Sequence, residues 1–73
     1  MVRYANNKIF AIGDYKSKLH ILDLQLNTLK VVDHEFEGSI MAMIANKDFV
    51  AIGQNGNVTV FNSNGYLILV SYF

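Results

Sequence analysis

The sequence predicts an all-β protein that contains two tandem four-stranded antiparallel sheets, and three observations support this fold class. The chain repeats itself: residues Met1–Gly13 align with Met41–Gly53 at an offset of 40, and six of these 13 positions are identical. Turn-forming residues recur at short intervals along the chain. Proline is absent, and helical periodicity is weak. Short strands joined by short connections pair as antiparallel meanders, and the repeat predicts two of them.

The first repeat contains four candidate strands, each followed by a turn signal. They cover residues 2–6, 8–14, 18–24 and 29–35. The first strand ends at Asn6-Asn7, the second at the polar run 14–18 and the third at residues 25–28, all of which contain residues that favour turns. Residues 37–39 separate this repeat from the next one.

The second repeat contains candidate strands at residues 39–46, 48–54, 57–62 and 66–72. Asn55-Gly56 and Asn64-Gly65 are strong hairpin signals, because both central residues of a type I′ turn need positive φ. A helix over 39–46 is the competing interpretation, since periodicity alone cannot assign a short apolar run. The matching segment 1–6 is too short for a helix, which favours a strand in both repeats.

Several of the candidate strands are apolar on both faces. Near-continuous apolar runs cover Ile9–Ile12, Ile40–Ala45, Phe49–Ile52 and Tyr66–Val70. A sheet with one solvated face would alternate apolar and polar residues, so these sheets are predicted to be covered on both sides. A period of about 40 residues with several short strands is typical of stacked β-propeller blades. We therefore expect the two inner faces to pack together and the two outer faces to need another protein surface.

Composition narrows the classes of function. The chain has 73 residues, 52% of them hydrophobic, and its six basic and six acidic side chains balance. This balance argues against a nucleic-acid partner, because phosphate neutralisation supplies most of the affinity in such complexes. The sequence shows no cysteine, no stretch of about 18 apolar residues and no secretory signal. We expect no thiolate metal site, no cofactor, no membrane partner and a cytoplasmic location.

Much of the chain resembles a degenerate WD40 repeat. The matching segments are 29–32, His34, 38–43, 49–53, Asn55–Asn57 and 58–62, and residues 11–13 and 18–24 resemble the later half of the same repeat. The Trp-Asp pair of the family corresponds to Leu22-Asp23 and Phe61-Asn62, and its Gly-His pair corresponds to Asp33-His34. The buried His–Ser–Trp–Asp network of the family is therefore incomplete here. The resemblance implies a WD40-like β-propeller.

The resemblance also implies a function. WD40 propellers usually have seven blades and act mostly as rigid scaffolds, whereas this single unit supplies two blades, at about residues 1–36 and 38–73. Propellers have between about four and eight blades, so three or four copies would close a ring, and a seven-bladed ring would require a five-bladed partner. We expect a non-catalytic protein–protein interaction scaffold whose partners are copies of itself or a larger propeller or scaffold protein. The alternative is a lectin-like propeller that binds a small ligand in each blade.

No catalytic constellation is evident among the polar residues. We interpret His20, within an apolar strand, as a structural histidine bonded to a neighbouring strand or partner, with a metal or catalytic role as the alternative. His34 points away from its acidic neighbours in an extended segment, so we expect it to be solvated or to cap a turn. We expect Asp14 and Asp23 to accept backbone hydrogen bonds in turns. Met41 and Met43 are predicted to line the core or the propeller axis.

The candidate partner-binding residues lie in two loops of the first repeat. They are Tyr15, Lys16, Lys18, Phe36 and Glu37. The two aromatic rings stand among charges, as partner-anchoring rings do, although they could instead cover the rim of a blade. The family resemblance implies that both loops lie on one face of the disc. The second repeat has only the short turn 54–56 in place of the first loop, and a longer loop costs ordering entropy, which favours a use beyond folding.

Overall fold

The computed structural model describes residues 1–73 and contains eight β-strands and no helix. The strands are β1 (Val2–Ala5), β2 (Lys8–Ala11), β3 (His20–Leu22), β4 (Thr28–Val31), β5 (Ala42–Ala45), β6 (Phe49–Gln54), β7 (Asn57–Asn62) and β8 (Leu67–Tyr72). They form two four-stranded sheets, in the orders β1-β2-β3-β4 and β5-β6-β7-β8, and all neighbouring strands are antiparallel. The predicted all-β fold with two meanders is therefore confirmed.

Four strands are at least three residues shorter than the sequence predicts. β2 stops at Ala11 instead of residue 14, and β3 covers His20–Leu22 instead of residues 18–24. β4 stops at Val31 instead of residue 35, and β5 begins at Ala42 instead of residue 39. Most of the residues left out belong to the connections 12–19 and 32–41. The two connections bond to each other through Ser17 and Phe36, a contact between distant segments that local sequence patterns do not reveal.

The tight turns differ in type from one another. Asn6 and Asn7 have φ of 51° and 61°, as both central residues of a type I′ turn require. At Asn55-Gly56 only the glycine has positive φ, 97°, which fits a type II turn, so the type I′ expectation is wrong there. Gly65 has φ of 86° but lies in a longer turn that begins at Asn62.

The turn after the third strand has the same hydrogen bonds in both sheets. Asp23 Oδ1 accepts from the backbone N–H groups two and four residues ahead, at 2.9 Å each, and Asn62 Oδ1 does the same at 3.0 and 3.1 Å. The residue three positions ahead has positive φ in both turns: Leu26 at 68° and Gly65 at 86°. Asp23 and Asn62 are therefore equivalent positions, as the alignment of the Leu22-Asp23 and Phe61-Asn62 pairs predicts.

This equivalence corrects the constant offset of 40 residues. Asp23 and Asn62 are 39 residues apart. The residues before them, Leu22 and Phe61, pair with Ile9 and Val50, which are 41 residues apart. The first two strands thus correspond at an offset of 41 and the last two at 39, because the β2–β3 connection is longer than the β6–β7 turn.

Each of these offsets differs by one residue from the 40-residue repeat, so residues that the repeat aligns project from opposite faces of the two sheets. Met1 and Ile12 exchange two backbone hydrogen bonds, so by antiparallel alternation Phe10 also points its backbone groups toward β1. Asn46 N–H donates to Phe49 O at 2.9 Å, so Val50 points its backbone groups toward β7. Because chirality fixes the side-chain face from the backbone direction, Phe10 and Val50 project from opposite faces of equivalent strands.

Phe10 and Val50 are nevertheless both fully buried in one core. The core residues are Phe10, Ile12, Leu19, Ile21, Val32 and Phe36 from the first half, and Ile40, Met43, Val50, Ile52 and Phe61 from the second half. One face of the first sheet therefore packs on the opposite face of the second sheet, and the expectation that the inner faces pack together is confirmed. Arg3 Nε donates to Met43 O at 2.9 Å where β1 and β5 lie side by side.

The two remaining sheet faces are exposed and rich in apolar side chains. The total accessible surface, 4534 Å², is ordinary for an 8.2 kDa chain, for which general scaling gives about 4500 Å². What is unusual is the composition of this surface, since 17 large apolar side chains are exposed. The outer faces thus lack a cover within the chain.

Candidate partner-binding surface

The two loops that the sequence singles out meet in the structure. The β2–β3 connection and the β4–β5 connection form a two-residue bridge, in which Phe36 N–H donates to Ser17 O at 2.8 Å and Ser17 N–H donates to Phe36 O at 3.3 Å. Tyr15, Lys16 and Lys18 on one loop are therefore neighbours of Glu37 on the other. We call the surface formed by Tyr15, Lys16, Lys18 and Glu37 the loop surface.

Three further contacts fix the β2–β3 connection in place. Ser17 Oγ donates to Gly13 O at 2.7 Å within the loop. Asp14 Oδ1 accepts from Ile40 N–H at 3.2 Å, which links the loop to the segment that leads into the second sheet. Lys18 Nζ lies 3.3 Å from Asp33 Oδ1 on the surface. The sequence predicts that Asp14 accepts a backbone hydrogen bond within a turn. Asp14 does accept a backbone hydrogen bond, but the donor is Ile40 in a distant segment, so the predicted turn role is wrong. The sequence gives no signal for the backbone bridge of Ser17, because Phe36 is distant in sequence.

Tyr15 and Lys16 occupy an unfavourable backbone conformation. Their φ angles are 53° and 47°, in the left-handed region that non-glycine residues rarely adopt. This conformation disfavours each residue by about 1–2 kcal/mol. The equivalent turn of the second sheet places a glycine at its positive-φ position. Tyr15 is 68% exposed, so its ring receives no compensating burial within the chain.

Phe36 does not belong to this surface. Its side chain is 1% exposed, and its ring centroid lies 4.6 Å from that of His34 and 6.2 Å from that of Phe61. The expectation of an exposed ring is therefore wrong. In an extended segment alternate side chains point to opposite sides, so the exposed charges of Glu35 and Glu37 accompany an inward Phe36 rather than an outward one.

His34 differs from its predicted setting, and His20 lacks the bond to a neighbouring strand that is one of its two predicted settings. His34 is half-buried against Phe36 and against Phe61, whose ring centroid lies 5.9 Å away, so it packs in an aromatic cluster instead of being solvated. His20 is exposed on the outer face of the first sheet, and its ring makes no hydrogen bond within residues 1–73. Met43 is a core residue as expected, whereas Met41 is exposed.

Asp23 accepts turn hydrogen bonds as predicted, which lowers its pKa. The backbone N–H of Asn27 is the main cause, and the Asn27 side chain and the Gln25 N–H act in the same direction, against a smaller opposing effect of desolvation. Nowhere in residues 1–73 do three or more His, Asp or Glu side chains come together as metal ligands would.

Two shallow depressions flank the bridge between the loops. One, of about 520 Å³, lies beside Lys16 and Ser17 and extends over the outer face of the first sheet to His20 and Val31. The other, of about 420 Å³, lies beside His34, and Asn57 is among the residues that line it. Asn57 Oδ1 is buried without a hydrogen-bond partner, which the sequence does not indicate.

Comparisons of the chain with protein-family models, with curated proteins and with solved structures give no match. No helix of the structure is long and apolar enough to cross a membrane.

Proposed function

We propose that this chain is a two-blade unit of a WD40-like β-propeller and acts as a non-catalytic cytoplasmic scaffold. It completes a ring with copies of itself or with a larger propeller or scaffold protein, and it binds a protein partner through the loop surface. The observation that carries the binding proposal is the exposed Tyr15-Lys16 pair, held in left-handed conformation on a loop fixed by four contacts.

The backbone of this loop supports a role in binding. Strained conformations persist where the surrounding structure holds them, and they concentrate at ligand-binding positions. A tyrosine on a fixed loop loses little conformational freedom when a partner covers it, and tyrosine is among the residues that dominate binding energies. Lys16 and Lys18 add positive charge beside the ring, although Asp33 partly neutralises Lys18.

The packing of the sheets supports the blade assignment. Blades of a propeller are related by rotation about one axis, so each blade presents one face to its predecessor and the opposite face to its successor. The two sheets of this chain pack in this manner, with the face that carries Phe10 against the face that carries Val50. Their first strands lie nearest each other, as the inner strands of adjacent blades do.

The lectin-like alternative requires one site in each blade. The long loop occurs in the first sheet only, since the two-residue turn at Asn55-Gly56 occupies the equivalent place in the second sheet. A thermal-shift screen separates the two functions. Saturable stabilisation by a sugar or metabolite would support the lectin-like function and contradict the scaffold.

Replacing Tyr15 and Lys16 together by serine tests the loop surface. A photo-crosslinking residue at position 15 identifies the bound protein in cells, and its affinity is then measured with purified chains by titration calorimetry. We expect the double variant to bind this protein more weakly by about 1–3 kcal/mol, the usual range for anchor residues, with its assembly unchanged.

A double variant that replaces Tyr72 and Lys47 by serine is the matched control, because it removes the same two residue types from exposed positions elsewhere. It should retain full affinity. If the loop variant instead loses its assembly, the loop belongs to a subunit interface and the proposed binding role is wrong.

A further inference from the structure

The two exposed sheet faces of this chain correspond to the two faces that are packed together in its core. The exposed face of the second sheet, here called the β5–β8 face, carries Ile44, Ala51, Val60 and Leu69 in one row across the four strands. The equivalent row of the first sheet is Arg3, Phe10, Ile21 and Lys30, which packs on the second sheet. The β5–β8 face is thus a second version of a surface that the fold already covers with a sheet.

The same correspondence holds for the other exposed face. The β1–β4 face carries Val2, Ile9, Ala11, His20 and Leu22. The equivalent residues of the second sheet are Met43, Val50, Ile52, Thr59 and Phe61, all of them buried against the first sheet. Each exposed face therefore matches one half of the interface inside the chain, and the two exposed faces match opposite halves.

The sizes of the side chains also fit this correspondence at one position, which is a glycine in the second sheet and a leucine in the first. Inside the chain, Gly65 approaches the first sheet so closely that an added Cβ would lie 2.9 Å from Ile21 Cδ1, 3.0 Å from Val32 Cγ2 and 3.1 Å from Lys30 Cδ. The position equivalent to Gly65 in the first sheet is Leu26. A leucine in the same arrangement would need more room than a glycine.

The β5–β8 face provides more room at this place. Val60, Ser71 and Leu69 are equivalent to Ile21, Val32 and Lys30, and each is smaller than its counterpart by one non-hydrogen atom. The smaller side chains leave space where Leu26 of another copy would lie. Leu26 itself is 69% exposed and has φ of 68°, so its side chain gains nothing within its own chain and its backbone is unfavourable.

We infer that the β5–β8 face binds the β1–β4 face of a second copy of this chain, head to tail, in the arrangement that the two sheets adopt within one chain. Leu26 of the second copy then packs over Val60, Leu69 and Ser71. This inference rests on the proposed ring and names its interface and its occupant. Because every copy presents one face of each kind, the contact repeats from copy to copy until a ring closes.

Complementation between two blocked variants tests the inference. Val60→Lys places a charge on the β5–β8 face, and Ala11→Lys places one on the β1–β4 face. The equivalent residues within the chain, Ile21 and Ile52, are buried. A lysine at position 60 or 11 would therefore have to be buried in the contact between copies, which is unfavourable. Asn55→Lys, in an exposed turn outside both faces, is the matched control. Far-UV circular dichroism checks that every variant remains folded.

The readout is the molar mass from size-exclusion chromatography with light scattering. We expect the wild type and the Asn55→Lys control to form one discrete assembly of several copies, and each blocked variant to be a monomer of 8.2 kDa. An equimolar mixture of the two blocked variants should form a dimer, because one supplies an intact β1–β4 face and the other an intact β5–β8 face. A mixture that stays monomeric, or a blocked variant that dimerises alone, would overturn the head-to-tail contact.

Leu26→Gly provides a second, independent measurement. In the Val60→Lys background it should raise the melting temperature of the monomer, because glycine adopts positive φ without strain. In the otherwise wild-type chain it should raise the dissociation constant of the assembly by about tenfold or more, because the leucine side chain would be removed from a buried position. An unchanged assembly would contradict the packing of Leu26 between copies.

The failure of this inference is distinguishable from the failure of the proposed function. A wild-type chain that is monomeric alone but joins a larger propeller protein would overturn the self-contact and leave the proposed ring in place. The opposite combination of results is also possible. If the blocked variants complement each other as expected, the self-contact is supported. If replacement of Tyr15 and Lys16 leaves partner affinity unchanged, the binding role of the loop surface is overturned.

Discussion

At the scale of single residues, backbone strain distinguishes two groups of residues. One group only forms turns within the fold, and the other is proposed to contact a partner or another copy. Five non-glycine residues have positive φ: Asn6, Asn7, Tyr15, Lys16 and Leu26. Asparagine tolerates this conformation, and the two asparagines form a tight hairpin turn. Tyrosine, lysine and leucine tolerate it poorly. These three residues are also the ones that the loop surface and the contact between copies would use.

Asp23 gives a prediction of pH dependence at the same scale. Its folded-state pKa lies below the ordinary value, so its carboxylate stabilises the fold above about pH 4 and this contribution is lost as the pH falls through the folded-state pKa. The free energy of unfolding, measured by urea titration at constant protein concentration, should therefore fall more steeply with acid in the wild type than in Asp23→Asn.

Asn62 shows that an amide can make the same turn hydrogen bonds, so Asp23→Asn should fold normally at neutral pH. Asp48→Asn is the control, because the Asp48 carboxylate accepts no hydrogen bond in the structure. A wild type and an Asp23→Asn variant with parallel pH profiles would contradict the role of the charged carboxylate.

At the scale of elements, the turn after the third strand of each sheet sets how closely the sheets approach. The second such turn, residues 62–66, lies against the first sheet through Gly65, whereas the first such turn lies at the surface with Leu26 exposed. Two turns with the same backbone hydrogen bonds thus lie in different environments, one packed against a sheet and one exposed. The sequence predicts both turns, but only the packing of the sheets shows which of them must contain glycine.

Gly65→Ala and Gly56→Ala form a matched pair that separates strain from packing. Both glycines have positive φ, so alanine should destabilise the fold at either position by about 1–2 kcal/mol. An added Cβ at Gly56 meets nothing within 4 Å, whereas at Gly65 it meets the buried Ile21 side chain. Gly65→Ala should therefore lose about 1 kcal/mol more. Equal losses in urea-induced unfolding would show that the turn is free to move away from the first sheet.

At the scale of the whole molecule, the arrangement is open at both ends. Stacking of the two sheets covers one face of each and leaves one face of each exposed, and further stacking in the same direction leaves the same two faces exposed until a ring closes. Small domains have little interior to stabilise them. Contacts between copies would supply the burial that a single chain of two sheets lacks.

The melting temperature should accordingly depend on protein concentration. Only folded chains assemble, so mass action raises the melting temperature of the wild type as the protein concentration rises. Differential scanning calorimetry over a hundredfold range of concentration measures this effect. The Val60→Lys variant should show no such dependence, and a wild type whose melting temperature is also constant would argue against assembly as a source of stability.

The sequence by itself determined the fold class, the order of eight strands and the presence of the two loops that carry Tyr15 and Glu37. These features follow from turn chemistry and apolar patterns within a few residues of each other. The tertiary structure decided the inward position of Phe36, the exposure of His20 and the correspondence of the sheet faces. The last of these depends on register: aligned residues Phe10 and Val50 are equivalent in sequence, yet a shift of one residue moves a side chain to the other face of a sheet. Register is set by hydrogen bonds and packing between distant segments, so the 40-residue repeat predicted two sheets while only their packing showed which faces remain exposed.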